Sequence, residues 1–295
     1  MMKEQDMTGE EDEYLSFNDE FSGYKILGEP NREEKIAAWK IAIGLQRTDG
    51  LTPSDHLIET ANRNINGHIT FGEAEKRLER YYAARPISPE ENDRTEEADK
   101  VSARIADMIS KKTFSFRPIE CLLIHKKLFT GIYGSAGKIR DRDISKAEWV
   151  LGGRTAHYAC TGSLFTMLER CIEEEKMFNC EGLTKKQMTE HLAKFVSALW
   201  QIHAFGEGNT RTTAVFVIKY FNYLGLEMTA DVFAEHSLYF RNALVRADYT
   251  DPDNGIHPTY EYLDRFFGNL LLGEKNVLRN RDMHISADRT NGMKK

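Results

Sequence analysis

Apolar residues recur at helical spacing along most of the chain. In the clearest case, within residues 183–201, the apolar positions share one face at the i, i+3, i+4, i+7 and i+8 spacing of a buried stripe: Leu192, Phe195, Val196, Leu199 and Trp200. Comparable periods predict further helices over residues 33–46, 54–67, 70–83, 96–110, 118–129, 155–175, 209–223, 237–247 and 258–272. The pattern therefore predicts an almost entirely helical protein.

One stretch breaks this pattern. Gly131, Gly134 and Gly137 punctuate a loop, and residues 139–153 that follow have the texture of a β-hairpin ending in Gly152 and Gly153. The predicted fold class is all-α with one small β-hairpin.

Prolines and charge divide the chain into four parts. Residues 1–20 carry a formal charge of −7, against −6 for the whole chain, so we expect residues 1–30 to be acidic and disordered. Pro86 and Pro89 break any helix and mark a boundary. The sequence thus predicts a helical module over residues 31–90, a larger domain over 97–275, and a frayed polar tail over 276–295.

Composition limits the possible functions. The 295 residues are 41% hydrophobic with a mean hydropathy of −0.53, and no apolar run approaches the roughly 20 residues of a membrane span. The start has no apolar signal-peptide region, so the expectation is a cytoplasmic protein without a membrane partner. Outside the acidic start the charge is nearly balanced, which disfavours nucleic acid. The four scattered cysteines predict neither a zinc site nor a disulfide framework.

The chemistry is concentrated in residues 203–211, between two apolar helices. Gly206 and Gly208 flank Glu207, so the backbone there can turn tightly and approach a ligand closely. A helix is predicted to begin near Asn209, and free N–H groups at such a start attract anions. Arg211 in the first turn opposes the helix dipole, a cost that a bound phosphate would offset.

Two further side chains complete a possible transfer site. Glu207 could hold Mg²⁺, which commonly binds through one carboxylate together with substrate phosphates. His203, at the other lip of the turn, can be neutral at pH 7 and accept a proton from a hydroxyl. Each residue alone has an ordinary structural explanation, because a histidine at a helix end is usually structural and an arginine is usually a solvated charge. Their order and spacing favour the functional interpretation over the structural one.

The stretch also resembles the signature of Fic-domain proteins, H-x-F-x-(D/E)-G-N-x-R, and matches it at every fixed position. The resemblance covers about residues 97–275. It implies a helical domain that transfers AMP from ATP to a Tyr, Thr or Ser hydroxyl of a target protein, with self-modification also open. By position, it makes His203 the general base and Glu207 the Mg²⁺ ligand. The phosphates would be bound by Gly206, Gly208, Asn209, Thr210 and Arg211.

The same resemblance assigns two accessory regions. The hairpin looks like the family's flap, which aligns the target segment by strand pairing, and Ile144, Ser145 and Lys146 are similar to flap sequences of bacterial members. The helix containing Tyr239 and Asn242 is expected to pass near adenine, although Tyr239 could equally be a core aromatic residue.

The N-terminal module looks like the antitoxin-like segment that inhibits many Fic proteins, but its motif is degenerate. The family's (S/T)-x-x-x-(E/N)-G would align with Asn62, Asn66 and Gly67, and Ala214 stands where a second signature arginine would pair with the inhibitory glutamate. Without those charges, inhibition by that pair is expected to be weak or absent. The module could instead be a packed accessory bundle.

Other departures leave two alternatives open. Ala204 replaces a common proline and Thr210 a common glycine, and the missing second arginine could relax the choice of nucleotide. The alternatives are transfer of another nucleotide or group, and a non-catalytic module that binds a protein through its flap.

Overall fold

The computed structural model describes residues 30–85 and 94–285, and within these ranges the chain forms ten α-helices. The helices are α1 (Arg32–Leu45), α2 (Asp55–Ile65), α3 (Phe71–Ala83), α4 (Thr95–Ser110), α5 (Pro118–Phe129), α6 (Leu164–Met177), α7 (Lys185–Ile202), α8 (Asn209–Tyr223), α9 (Ala230–Asp248) and α10 (Glu261–Leu272). Short 3₁₀ turns cover Gln46–Asp49, Trp149–Leu151, Pro252–Asn254 and Asn280–Met283. The all-α prediction is confirmed.

Helix α8 lies at the centre of the fold. Every residue from Asn209 to Phe221 is buried, so this helix is covered on all sides. It packs against α4, α5 and α7, and against the turn at Gln46–Asp49. The loop that precedes α8 is therefore held by a rigid core element.

The helix starts follow local capping chemistry. Asn31, Thr70 and Thr184 each accept a hydrogen bond from the amide three residues on, and each is closed by a reciprocal side chain in a capping box. These boxes fix where α1, α3 and α7 begin. Helix α6 begins at Leu164 rather than near residue 155 as predicted, because Gly162 lies in the left-handed region at φ +85°.

Helix α9 is longer than predicted and is kinked. It extends from Ala230, and His236 adopts a non-helical φ of −120° inside it. The predicted start at Ser237 coincides with this kink, so the sequence pattern identified the second half of the helix.

The predicted hairpin is present as a turn closed by one bridge. Ala147 pairs with Thr155 in an isolated antiparallel bridge, and no extended strand occurs in residues 30–85 and 94–285. The alternating pattern is interrupted by the 3₁₀ turn at Trp149–Leu151 and by Gly152 and Gly153, both at positive φ. We keep the name flap for residues 139–155. Within the flap the Trp149 side chain is 57% exposed, whereas Trp39 and Trp200 are buried.

The N-terminal helices pack directly onto the rest of the fold. Helix α1 packs against α4 and α9, and α3 packs against α4. Buried Asp99 of α4 accepts hydrogen bonds from the Ser54 amide at 2.9 Å and from the Tyr82 hydroxyl at 2.7 Å. The four-part division of the chain remains a prediction, since the expected acidic start and most of the proline boundary fall in residues 1–29 and 86–93, outside the described residues.

The sequence predicts a frayed C-terminal segment, but the described part of that segment packs against the rest of the fold. Met283 is buried, the Ile285 amide donates to the Val150 carbonyl at 2.8 Å, and the Asn242 side chain donates to that of Asn280 at 2.8 Å. Residues 276–285 thus pack against the 3₁₀ turn of the flap and one face of α9. Apolar Met283, which is buried, and Ile285 and Leu278, which pack against the core, anchor this segment. Residues 286–295 fall outside the described part.

Candidate active site

His203 ends α7 in a strained conformation. Its φ of +49° is the one positive value among the non-glycine residues that the structure describes. Its Nδ1 lies 3.3 Å from the Trp200 carbonyl oxygen, which can only accept a hydrogen bond, so the proton belongs on Nδ1 and the lone pair on Nε2. Burial lowers the pKa of His203 well below its ordinary value, and Lys146, Arg241 and Arg140 lower it further. The imidazole is neutral at pH 7.

The turn after His203 is held from both sides. The Asn209 side chain accepts from the Phe205 amide at 2.9 Å and donates to the Phe205 carbonyl at 2.6 Å. Arg140 of the flap donates to the His203 carbonyl at 2.8 Å, and its own amide donates to the Ala204 carbonyl at 2.9 Å. These bonds fix the backbone of residues 203–209.

His125 of α5 is a residue of this site that the sequence analysis did not single out. Its ring stacks on Phe205 at 3.8 Å between centroids, and its Nδ1 accepts from the Gly137 amide at 2.8 Å. Its Nε2 therefore donates to the Glu207 carbonyl at 3.0 Å. Burial lowers the pKa of His125 to about 4. No motif marks this residue, since its role depends on contacts with two loops distant in sequence.

Glu207 lies at the exposed tip of the turn. Its Oε2 contacts Lys146 Nζ at 3.1 Å, which brings a predicted flap residue onto the predicted metal ligand. Ile144, Ser145, Lys146, Gly206 and Glu207 line one cleft with a volume of about 800 Å³. His203 is only 4% exposed and is not among the residues that line this cleft.

Gly208 is the N-cap of α8 and combines two constraints. It has a φ of +72°, and a Cβ there would lie 2.4 Å from the buried Phe129 ring. Among the described contacts, no side chain caps this end of the helix, so its first amides are available to an anion.

Arg211 is buried and is not among the residues that line this cleft, and its predicted contact with phosphate stays a prediction. Its side chain is fully buried: Nη2 donates to Glu97 at 2.6 Å, Nη1 donates to Gln46 at 3.1 Å, and Nε lies 2.8 Å from Asp49. Tyr133 also contacts the guanidinium, which lies over the Phe129 ring. The cation is thus neutralised by one carboxylate of α4 and another from the 3₁₀ turn after α1.

Thr210 has a packing role in this structure. Its hydroxyl accepts a hydrogen bond from Trp200 Nε1 at 3.0 Å, and the residue is buried. The Thr210 side chain therefore ties the start of α8 to the end of α7, and its backbone amide remains the group suited to an anion.

The two residues expected near adenine are buried. Tyr239 is 1% exposed and packs against Phe266, while Asn242 is bonded to Asn280 under the C-terminal segment. The structure thus places Tyr239 in the core, the alternative that the sequence left open. An open base pocket at these positions stays a prediction.

The degenerate regulatory motif forms the end of α2. Asn62, Asn66 and Gly67 are exposed; Asn66 is the C-cap, and Gly67 follows at φ +79°. Ala214 is fully buried within α8. The N-terminal module instead reaches the signature through Gln46 and Asp49, which contact Arg211.

Comparison with known proteins confirms the resemblance carried by residues 203–211. Residues 116–221, about a third of the chain, match the Fic/DOC family. Over 94 residues it is 32% identical to the protein adenylyltransferase VbhT of Bartonella schoenbuchensis. That alignment covers 32% of this chain and 18% of VbhT, so the chain spans less than a fifth of that relative's length.

Two solved structures are also similar. The BepC protein of Bartonella tribocorum, solved with bound AMPPNP, is 17% identical with a TM-score of 0.46, over 61% of this chain and 88% of that one. The N-terminal Fic domain of a putative cell filamentation protein from Bartonella quintana is 18% identical with a TM-score of 0.45, over 61% and 84%. Within the described residues, no helix has the length and apolar character needed to cross a bilayer.

Proposed function

We propose that this protein transfers AMP from ATP to a hydroxyl side chain of a protein target. The observation that carries the proposal is His203: a buried, neutral imidazole with its lone pair on Nε2, at the start of a signature turn whose helix presents uncapped amides. The match of residues 116–221 to the Fic/DOC family and the relative named as a protein adenylyltransferase support the same activity.

The reaction assigns a role to each part of the turn. The target hydroxyl loses its proton to Nε2 of His203, and its oxygen attacks the α-phosphorus of ATP. The bond from that phosphorus to the bridging oxygen of the β-phosphate breaks, and pyrophosphate leaves. The amides at the start of α8 would stabilise the charge on the phosphate oxygens. A neutral base is required from the outset, and the low pKa of His203 provides one at pH 7.

The residues present fit a magnesium ion. Glu207 offers one exposed carboxylate beside the helix start, the donor set that Mg²⁺ uses when substrate phosphates supply the remaining ligands. When bound, the ion would neutralise phosphate charge during transfer. Lys146 now occupies this carboxylate, so we expect it to move away when the dication binds.

Lys146 also links the metal ligand to the flap. It precedes the bridge at Ala147 and Thr155, and its amide donates to the Thr155 hydroxyl at 3.1 Å. The cleft lined by Ile144, Ser145 and Lys146 would accept an extended segment of the target, whose backbone could pair with the flap.

A second candidate is transfer from another nucleotide donor. It is favoured by the state of Arg211, which is held by Asp49 and Glu97, and by Ala214, which supplies no second cation. Such a site would suit a nucleotide donor whose binding depends less on cationic side chains at the β- and γ-phosphates.

Radiolabelling tests the proposal directly. The protein is incubated with lysate, Mg²⁺ and ATP labelled on the α- or the γ-phosphate, with His203→Ala as the test variant and exposed His257→Ala as its matched control. Protein label from α-ATP alone, lost in His203→Ala and kept in His257→Ala, is the expected result. Label from γ-ATP would overturn AMP transfer, unchanged label in His203→Ala would overturn the base assignment, and label only from another nucleotide would favour the second candidate.

A further inference from the structure

One face of the His203 ring is covered by Tyr158. The two rings stack at 3.9 Å between centroids with an interplanar angle of 25°. Trp200 meets the imidazole edge-on at 5.0 Å, so two aromatic rings confine it from different sides. Tyr158 lies in the segment between the flap and α6, outside the signature.

The hydroxyl of Tyr158 is anchored to a buried ion pair. It donates to Glu148 Oε1 at 3.3 Å, and Glu148 accepts two hydrogen bonds from Arg241 of α9, at 2.7 and 2.9 Å. The Glu148 side chain is 1% exposed. A buried carboxylate needs such a paired arrangement, because an unpaired charge in the interior is costly.

Glu148 also closes the turn of the flap, inside the bridge between Ala147 and Thr155. Its amide donates to the Arg154 carbonyl at 2.9 Å, and its carbonyl accepts from the Gly153 amide at 3.0 Å. The chain of contacts from Arg241 through Glu148 and Tyr158 to His203 therefore connects α9, the flap and the base.

This support matters because the only hydrogen bond described for the His203 ring is long. The contact from Nδ1 to the Trp200 carbonyl is 3.3 Å, and a bond of that length restricts ring rotation weakly. A general base must hold its lone pair within narrow limits of distance and direction. Stacking by an anchored tyrosine supplies the missing restraint.

We propose that Tyr158, fixed by Glu148 and Arg241, is a positioning residue that sets the orientation of the His203 ring and thereby keeps Nδ1 directed at the Trp200 carbonyl. This inference rests on the proposed function, since it concerns the base of that reaction. The charges that act on His203 include Lys146 and Arg140 as well as Arg241, so removal of Tyr158 alone leaves those charges in place.

The first test uses a signal that does not depend on activity. Nitrogen shifts of the histidine rings are recorded across pH by NMR, and His203 is assigned by its loss in His203→Asn. We expect one tautomer, protonated on Nδ1, in the native protein. In Tyr158→Leu we expect a mixture of tautomers and a pKa closer to the ordinary value, since a covering ring is lost. Unchanged His203 shifts in Tyr158→Leu would overturn the proposal, even if no transfer activity were found.

The second test separates positioning from folding. Tyr158→Leu is expected to lower kcat roughly 10- to 100-fold with little change in KM for ATP. Tyr158→Phe keeps the stacked ring, so its kcat should fall only a few-fold, and the same is expected for Glu148→Gln. The double variant with both substitutions should lose no more kcat than either single variant. Tyr223→Phe, at an exposed tyrosine on α8, is the matched control. Equal kcat in Tyr158→Leu and the native protein, or a loss matched entirely by the unfolded fraction, would contradict the positioning role.

Discussion

The two glycines of the signature turn differ in what surrounds them, although they are only two residues apart. Gly208 has a positive φ and lies against the Phe129 ring, whereas a Cβ at Gly206 would meet no atom within 4 Å and its φ is unremarkable. Gly206 and Gly208 therefore provide a matched pair of positions for substitution within one loop.

We predict that Gly208→Ala destabilises the protein by about 1–3 kcal/mol, because the left-handed backbone and the contact with Phe129 both oppose a side chain. Gly206→Ala should lie within about 0.5 kcal/mol of the native protein. Urea unfolding of the three proteins measures both. A loss in Gly206→Ala as large as in Gly208→Ala would show that the loop tolerates no side chain anywhere, which contradicts this argument.

The histidines of the site give stability a dependence on pH. Burial lowers the pKa of His125 to about 4 and that of His203 well below normal, so the unfolded chain binds protons that the folded protein does not. Stability contributed by neutral His125 is present above about pH 6.5 and is lost as pH falls toward 4. For this residue alone the loss would be about 3 kcal/mol.

Unfolding free energies measured between pH 7 and 4.5 test this linkage. The native protein should lose stability across that interval, and His125→Gln, which cannot be protonated, should show a shallower slope. An identical slope in the two proteins would mean that His125 does not contribute.

At the scale of elements, α1 and α9 pack at unusually close range. A Cβ on Gly44 of α1 would lie 2.4 Å from the Ala234 carbonyl oxygen of α9, and the Ser237 hydroxyl donates to the Gly44 carbonyl. Only glycine permits this approach, because the opposing atoms are backbone and cannot rotate away.

We predict that Gly44→Ala forces α1 and α9 apart and costs about 1–3 kcal/mol of stability. Gly72→Ala is the matched control: this glycine is also helical, in α3, and has no neighbour within 4 Å of an added Cβ. Alanine should stabilise that position by about 0.5–1 kcal/mol through helix propensity. Thermal unfolding should order the variants as Gly72→Ala, native and Gly44→Ala, and any other order would refute the packing argument.

The sequence predicts an element well when the residues that determine its bounds lie within or next to that element. Helices such as α5 and α8 are predicted to the residue, because their periodicity and the flanking proline or glycine are local. The start of α6 is missed by about nine residues, since apolar residues continue through the loop before Gly162. The predicted strands of the flap are absent because a 3₁₀ turn interrupts it at Trp149–Leu151. A turn this short has no periodicity by which the sequence could indicate it.

For the site, the signature predicts which residues share a turn and leaves their partners unknown. Glu207 beside Lys146 unites two predicted groups, whereas the Arg211 contacts to Gln46 and Asp49 join residues far apart in the chain. Such pairings follow from helix packing, which a single sequence does not encode in any periodic form. His125 and Tyr158 were missed for the same reason.

At the scale of the whole molecule, Arg211 of α8 links the signature to the N-terminal module, because the 3₁₀ turn at Gln46–Asp49 contacts its side chain. Asp49, Gln46 and Glu97 all contact the guanidinium of Arg211, whose side chain is fully buried. If the proposed transfer uses Arg211 for phosphate, the arginine must first leave Asp49. In that case the N-terminal module would affect ATP binding through Gln46 and Asp49, which contact Arg211, rather than through its degenerate motif.

We predict that Asp49→Asn raises the rate of AMP transfer several-fold at limiting ATP, since it weakens the hold on Arg211, and lowers the Tm, since a buried cation loses a partner. Asn66→Glu, the contrasting variant, should change the rate little because Ala214 offers no positive charge. Rates at several ATP concentrations decide the matter. Strong inhibition by Asn66→Glu, or an unchanged rate in Asp49→Asn, would show that the module acts in another way.

The exposure of Trp149 also allows the flap to be followed by tryptophan fluorescence. The chain has three tryptophans, and the two others lie in the interior, so an aqueous quencher such as iodide would reach the emission of Trp149 almost exclusively. A target segment that docks along the flap would shield that indole and reduce quenching without any label on the protein. The flap thus carries its own fluorescent reporter, with which candidate targets can be screened before any of them is known to be modified.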